Sequence, residues 1–159
     1  MTTQTLQISD LLAAGSVISH LSASSKLELI QNLAQFAAKE IGKDAHAIVD
    51  VLWEREKLGT TGVGYGIAIP HGRIEGLEQV HGFFVRLEEP INYDSIDEKP
   101  VDIVFLLLAP ESAGADHLHA LSMVSRLLRD KQLCEQLRRA KGEKEIYRLF
   151  SQAAIAEAA

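Results

Sequence analysis

The stretch Val101-Asp-Ile-Val-Phe-Leu-Leu-Leu-Ala109 decides the fold. Every residue but Asp102 is apolar, so neither of the two alternating sides of a strand here is left for water. Such a run reads as a central strand covered by helices on both faces. It is also half the length of a membrane span. Downstream, Pro110-Glu-Ser-Ala-Gly-Ala reads as a loop and Asp116 as an N-cap. Helices are expected at about His117–Arg129, Lys131–Arg139 and Glu143–Phe150, with a frayed tail over 152–159. Upstream, Pro90, Asn92, Asp94, Asp97 and Pro100 punctuate a connecting loop. Before it, Gln79–Leu87 alternates as a strand and Ile67-Ala-Ile-Pro70 reads as a short buried one.

Further upstream the period changes from two to 3.6. Leu27, Ile30, Leu33, Ala34, Ala37 and Ile41 recur on one helical face, Ser24-Ser25 supply the cap and Gly42 the stop, which predicts a helix over Lys26–Ile41. Asp44 caps a second helix over Ala45–Glu56, with Ile48, Leu52 and Val51 turned inward. It runs into Gly59-Thr-Thr-Gly-Val-Gly-Tyr-Gly66, whose glycines predict a loop. The expected fold is α/β: a single layered domain over residues 4–151, with five or six helices on both faces of a small mixed sheet.

Composition narrows the function. The 159 residues carry 47% hydrophobic and 24% charged side chains, as a globular domain does. The net charge of −6 argues against non-specific binding to nucleic acid or to an anionic membrane surface. The single cysteine, Cys134, excludes an internal disulfide framework and a thiolate zinc cluster. The N-terminus lacks the basic residues and apolar run of a signal peptide, so a soluble cytoplasmic protein is expected.

The segment Gly62-Val-Gly-Tyr-Gly-Ile-Ala-Ile-Pro-His71-Gly-Arg73 feeds glycines into a short strand that ends in Pro-His-Gly. Pro70 fixes its own φ and Gly72 permits a turn, so His71 is held at a strand end facing a cleft. A neutral imidazole, with a pKa of about 6.5, is nucleophilic at neutral pH and can take a phosphoryl group. Gly62, Gly64 and Gly66 match neither the phosphate loop that ends in Gly-Lys-Ser/Thr nor the dinucleotide fingerprint. Taken alone, the loop can be a mere connection, and the structural reading of His71 has the advantage.

A second segment repeats the pattern: Leu106-Leu-Leu-Ala-Pro110 leads through a loop to Asp116-His117-Leu-His119. Helical projection puts His117 on the face of Leu121, Val124 and Leu128, and His119 near Met123 and Arg126. An inward His117 at a helix N-terminus can donate an N–H to a phosphoryl oxygen beside free backbone amides, or simply bond a carbonyl. Arg55, before the glycine loop, can stabilise developing charge. For Arg55 alone, surface pairing with Glu54 or Glu56 is the stronger reading. Arg73 carries the same two readings.

The run Glu56-Lys-Leu-Gly-Thr-Thr-Gly-Val-Gly-Tyr-Gly-Ile-Ala-Ile-Pro-His71-Gly closely resembles the active-site signature of the fructose/mannitol enzyme IIA proteins of the bacterial phosphoenolpyruvate phosphotransferase system. His117-Leu-His-x-Leu looks like the second-histidine segment of that family, and the similarity extends from about Leu6 to Phe150. Arg-Glu-Lys-x-Gly-Thr-Thr-Gly and Asp-Ser-Ile-Asp-Glu-Lys-Pro-Val-Asp look most like its nitrogen-regulatory members.

The resemblance implies an α/β sandwich and a regulatory phosphocarrier. In it His71 accepts phosphate from the phosphohistidine of an HPr-like carrier, Arg55 and His117 surround the phosphohistidine, and transporters, kinases or other proteins respond to the phosphorylation state. Loop amides at Gly62, Gly64, Gly66 and Gly72 are candidate phosphoryl contacts, as are Arg73 and His119. No metal or cofactor is expected. Competing readings are a sugar-uptake IIA serving a IIB domain, a binding module without chemistry, and a metal-dependent hydrolase using His71, Asp116, His117 and His119. Histidines two apart on a helix diverge, which weighs against the last.

Overall fold

A computed structural model describes the backbone of residues 7–158 and the side chains of residues 7–153. The apolar run is the central strand. It forms β6 (Val101–Pro110), antiparallel to β5 (His81–Ile91) on one side and parallel to β3 (Ile67–Ala68) and β4 (His71–Ile74) on the other. β1 (Leu12–Leu21) runs parallel to β5, and β2 (Gly62–Gly64) is antiparallel to β3, giving the order β1-β5-β6-β3-β2 in a mixed sheet.

Alternation along β6 feeds two separate cores. Ile103, Phe105, Leu107 and Ala109 enter the first with α4 (Ala115–Leu128), α5 (Lys131–Arg139) and α6 (Glu143–Ala158). There Phe84, Phe105 and Phe150 meet edge to face, with centroids 5.1 to 6.5 Å apart. Val104, Leu106 and Leu108 enter the second, under α2 (Lys26–Ile41) and α3 (Ala45–Lys57). This two-sided burial is what a run with no wet face requires.

The helix signals act as expected. Ser25 Oγ accepts from Glu28 N at 3.1 Å, Gly42 closes α2 in the left-handed region at φ 66°, and Asp44 accepts from His46 N ahead of α3. Elsewhere the structure corrects the reading. The glycine loop is largely the β2–β3 hairpin, with Tyr65 and Gly66 at positive φ (58° and 81°) in a two-residue turn that suits strand twist. α4 starts at Ala115 behind Gly114, so Asp116 lies in its first turn and is not the cap. β5 continues past Leu87 to Ile91, with Pro90 tolerated where its register with β6 breaks. The last helix continues beyond Phe150 to Ala158, through most of the segment expected as a tail. A short helix α1 (Ile8–Leu11), β1 and β4 are additions. Among the described residues no helix is long and apolar enough to cross a membrane.

Candidate active site

β4 pairs with β6 through His71↔Leu107, and Leu107 N donates to Pro70 O at 3.0 Å. Leu107 faces the α4 layer, and the His71 ring turns the same way. Nδ1 of His71 lies 2.9 Å from Ile69 O. A carbonyl only accepts, so Nδ1 carries the proton and Nε2 keeps its lone pair. Burial pushes the His71 pKa below its ordinary 6.5. The Ile69 carbonyl opposes that shift, the Arg55 charge adds to it, and Glu56 opposes it.

His117 comes from the first turn of α4. It is only 7% exposed, and its ring centroid is 5.5 Å from that of His71. Its Nδ1 is buried without a hydrogen-bond partner among the described residues. Buried polar atoms are nearly always satisfied, so this orphan, on a ring next to a nucleophilic one, is an available polar atom. Burial lowers its pKa, and the charges of His71 and Arg73 lower it further. A neutral His117 offers one N–H.

Arg55, in the last turn of α3, donates from Nη1 to Gly59 O at 2.9 Å. The surface pairing weighed for it does not occur: Glu54 binds Lys57 at 2.9 Å, and Glu56 binds Lys26 at 2.8 Å. Its charge instead bears on His71. Arg73 is exposed, donates to Glu111 O at 3.3 Å, and bears on His117. The structure thus brings two imidazoles together, within the electrostatic reach of two guanidiniums that are anchored on loop carbonyls.

Not every candidate converges there. Ile67 and Ala68 pair four positions earlier on β6 than His71 and Gly72, which is about 13 Å along a strand. Gly64 and Gly66 therefore sit toward the far end of the hairpin, against Asp97 and against Arg138 with Asp102. Gly62 packs on Ser95. Only Gly72 adjoins His71, and a Cβ there would stand 2.4 Å from Val51 Cγ1. His119 is exposed and lines another cleft with Asp116 and Gln79. Among the described residues no three His, Cys, Asp or Glu side chains form a group that could hold a metal ion.

Glu56 escaped the residue-level reading. Its buried carboxylate accepts from Thr61 N at 3.1 Å, from Thr61 Oγ1, and from Tyr93 OH at 3.0 Å. With Lys26 it closes a network that fixes the chain just after Gly59, and hence the carbonyl that anchors Arg55. Burial and the Glu56 charge push the Tyr93 pKa well above 10, so its hydroxyl remains a donor. The signal was available: Ile48, Leu52 and Glu56 fall on one stripe of α3, so an inward carboxylate follows from the spacing.

The profile of the family described as "Phosphoenolpyruvate-dependent sugar phosphotransferase system, EIIA 2" matches residues 10–153. The chain belongs to that enzyme IIA family. This enzyme IIA is 48% identical over 146 residues to a "Nitrogen regulatory protein" of Bradyrhizobium diazoefficiens, covering 92% of this chain and 95% of the relative. It is 40% identical over 149 residues to the Klebsiella oxytoca protein of the same name, covering 93% and 92%. The crystal structure of nitrogen regulatory protein IIA-Ntr from Neisseria meningitidis superposes with a TM-score of 0.85 at 34% identity, covering 90% of this chain and 98% of that one. Enzyme IIA membership agrees with the resemblance carried by the Pro-His-Gly segment, and the nitrogen-regulatory likeness with that carried by Arg-Glu-Lys-x-Gly-Thr-Thr-Gly and Asp-Ser-Ile-Asp-Glu-Lys-Pro-Val-Asp.

Proposed function

We propose that this enzyme IIA accepts a phosphoryl group on Nε2 of His71 from the phosphohistidine of an HPr-like carrier, and that its phosphorylation state governs which regulatory partners it engages. The observation that carries this reading is the pairing of His71, its Nδ1 tied to the Ile69 carbonyl, with the unpartnered Nδ1 of His117. Transfer is in line. The Nε2 lone pair forms the new N–P bond as the donor's N–P bond breaks, and the donor ring leaves with that electron pair. The proton of His71 stays on Nδ1 against Ile69 O during attack.

The neutral His117 donates to an equatorial phosphoryl oxygen, and Arg55 offsets charge on the same group. Little else is asked of the protein, because positioning and electrostatic stabilisation dominate phosphoryl transfer. Once seated, with Nδ1 still protonated, the group adds a net charge of about −1, two negative charges on its oxygens against one positive charge on the ring, where Arg55 and Arg73 form no ion pair among the described residues. That offsets part of the positive field a docking partner meets.

The test supplies labelled phosphoenolpyruvate, enzyme I and an HPr-like carrier to the parent chain and to His71→Ala. Acid-labile label confined to the parent is expected. Equal label on both would remove His71 from the chemistry. Pull-downs with the parent in both phosphorylation states and with His71→Ala then separate partners that read the phosphoryl group from those that do not.

A further inference from the structure

A second cleft lies away from the histidines, between the β2–β3 hairpin and helices α4 and α5. Its volume is about 560 Å³, within the range of small-molecule pockets. Ile67, Ile69 and Leu128 give it apolar walls, and Cys134 lines it from α5. Its lining carries three basic residues, Arg129, Lys131 and Arg138, against one acidic residue, Glu135, in a chain whose net charge is −6. Of its basic residues, Arg138 is held by Asp102 at 2.9 Å, whereas Arg129 and Lys131 form no ion pair among the described residues. Glu135, the carboxylate on its lining, is engaged by Arg139 at 3.1 Å.

On the same lining Tyr65 is 68% exposed and sits in the left-handed backbone region at φ 58°. Its carbonyl accepts from Arg138 Nη2 at 2.7 Å, and Lys131 Nζ stands 5.1 Å from its ring centroid. An aromatic ring kept exposed at a hairpin turn, with a lysine that forms no ion pair among the described residues set over it, suits one wall of a binding cleft.

We propose that this cleft binds a small molecule with an apolar body and a single anionic head, the body against Ile67, Ile69 and Leu128 and the head between Arg129 and Lys131. Charge complementarity selects the head, and the dry walls select the body. Ile69 belongs to both sites, since its side chain lines this cleft and its carbonyl orients His71. The binding claim stands whether or not His71 carries phosphate.

The test titrates the full chain with the fluorescent probe 8-anilinonaphthalene-1-sulfonate and with its neutral counterpart N-phenyl-1-naphthylamine. Saturation at one sulfonate per chain is expected, with the neutral probe bound at least about tenfold more weakly, since charge-assisted contacts are worth that much or more. The double variant Arg129→Glu/Lys131→Glu, at two exposed positions, weakens the sulfonate by about the same factor, and Ser125→Trp, which fills the cleft from α4, abolishes saturation. Lys144→Glu, on α6 outside the cleft, leaves binding unchanged. Far-ultraviolet circular dichroism confirms that each variant is folded. Non-saturable adsorption, equal affinity for the two probes, or parent-like binding by the charge-reversed variant would overturn the proposal.

Discussion

His71 and His117 are both held neutral by the fold, and that has consequences for pH at the level of single residues. Burial is the leading cause at each, and at His81 burial is the cause as well. A ring whose folded pKa lies below its unfolded value of 6.5 binds fewer protons than the unfolded chain as pH falls through that window. The stability these rings contribute is therefore present above pH 6.5 and lost as pH falls toward their folded values. Urea unfolding from pH 7.5 to 5 should show a falling midpoint, with a shallower slope in His117→Ala. Phosphoryl acceptance follows the same sign, because the nucleophile is the unprotonated ring. The transfer rate should stay flat from pH 7.5 to 6.5 and decline only below it; a half-point above 6.5 would contradict the burial argument. His117→Ala should slow transfer by about 100-fold without removing it, the scale for losing one preorganised donor to a transition state. Single-turnover quench-flow with phosphorylated carrier measures that loss.

At the scale of elements, β4 is seated on α3 through a contact that only glycine permits. Gly72→Ala would place a methyl 2.4 Å from Val51 Cγ1, forcing β4 and His71 away from the sheet's helical cover. A loss of about 1–3 kcal/mol in urea unfolding is expected, with recovery of most of it in Gly72→Ala/Val51→Ala. Lys26→Met removes the cation from the buried Glu56 carboxylate and should cost about 3–5 kcal/mol. These elements also show what a sequence exposes and what it hides. β6, α2 and α3 were legible because their apolar period, caps and stops all agree. β1 was not, because Leu-Ala-Ala-Gly-Ser-Val-Ile-Ser-His-Leu mixes small and polar residues on an edge strand, and its register with β5 shifts twice. β4 was hidden by Pro70 and Gly72, which read as breakers although Pro70 precedes the strand and Gly72 fits under Val51. The hairpin glycines drew a chemical reading, yet close contacts with Ser95, Asp97 and Arg138 account for Gly62, Gly64 and Gly66. The two histidines stood out because each follows a proline-ended strand, and the family resemblance set them together, whereas the Lys26–Glu56–Tyr93 network depends on contacts between residues distant in sequence.

Across the whole molecule, two apolar cores hold a sheet whose strand β4 carries His71, and α4 sets His117 beside it. Each helical layer supplies one polar group, Arg55 from the first and His117 from the second, so the site exists only when both layers are docked. Leu118, next to His117 in sequence on α4, is 64% exposed. Leu118→Asp should leave the unfolding free energy within about 0.5 kcal/mol of the parent, as exposed substitutions do. It should also slow transfer from the carrier about tenfold through weaker docking of an apolar contact. The central claim, however, concerns a single nitrogen. With ¹⁵N-histidine-labelled protein phosphorylated by phosphoenolpyruvate, enzyme I and an HPr-like carrier, nitrogen-detected magnetic resonance reports where phosphorus is bonded. A phosphorus coupling at Nε2 of His71, with Nδ1 still bearing its proton, is the predicted result; a phosphoryl group on Nδ1, or on His117 in its place, would contradict the account.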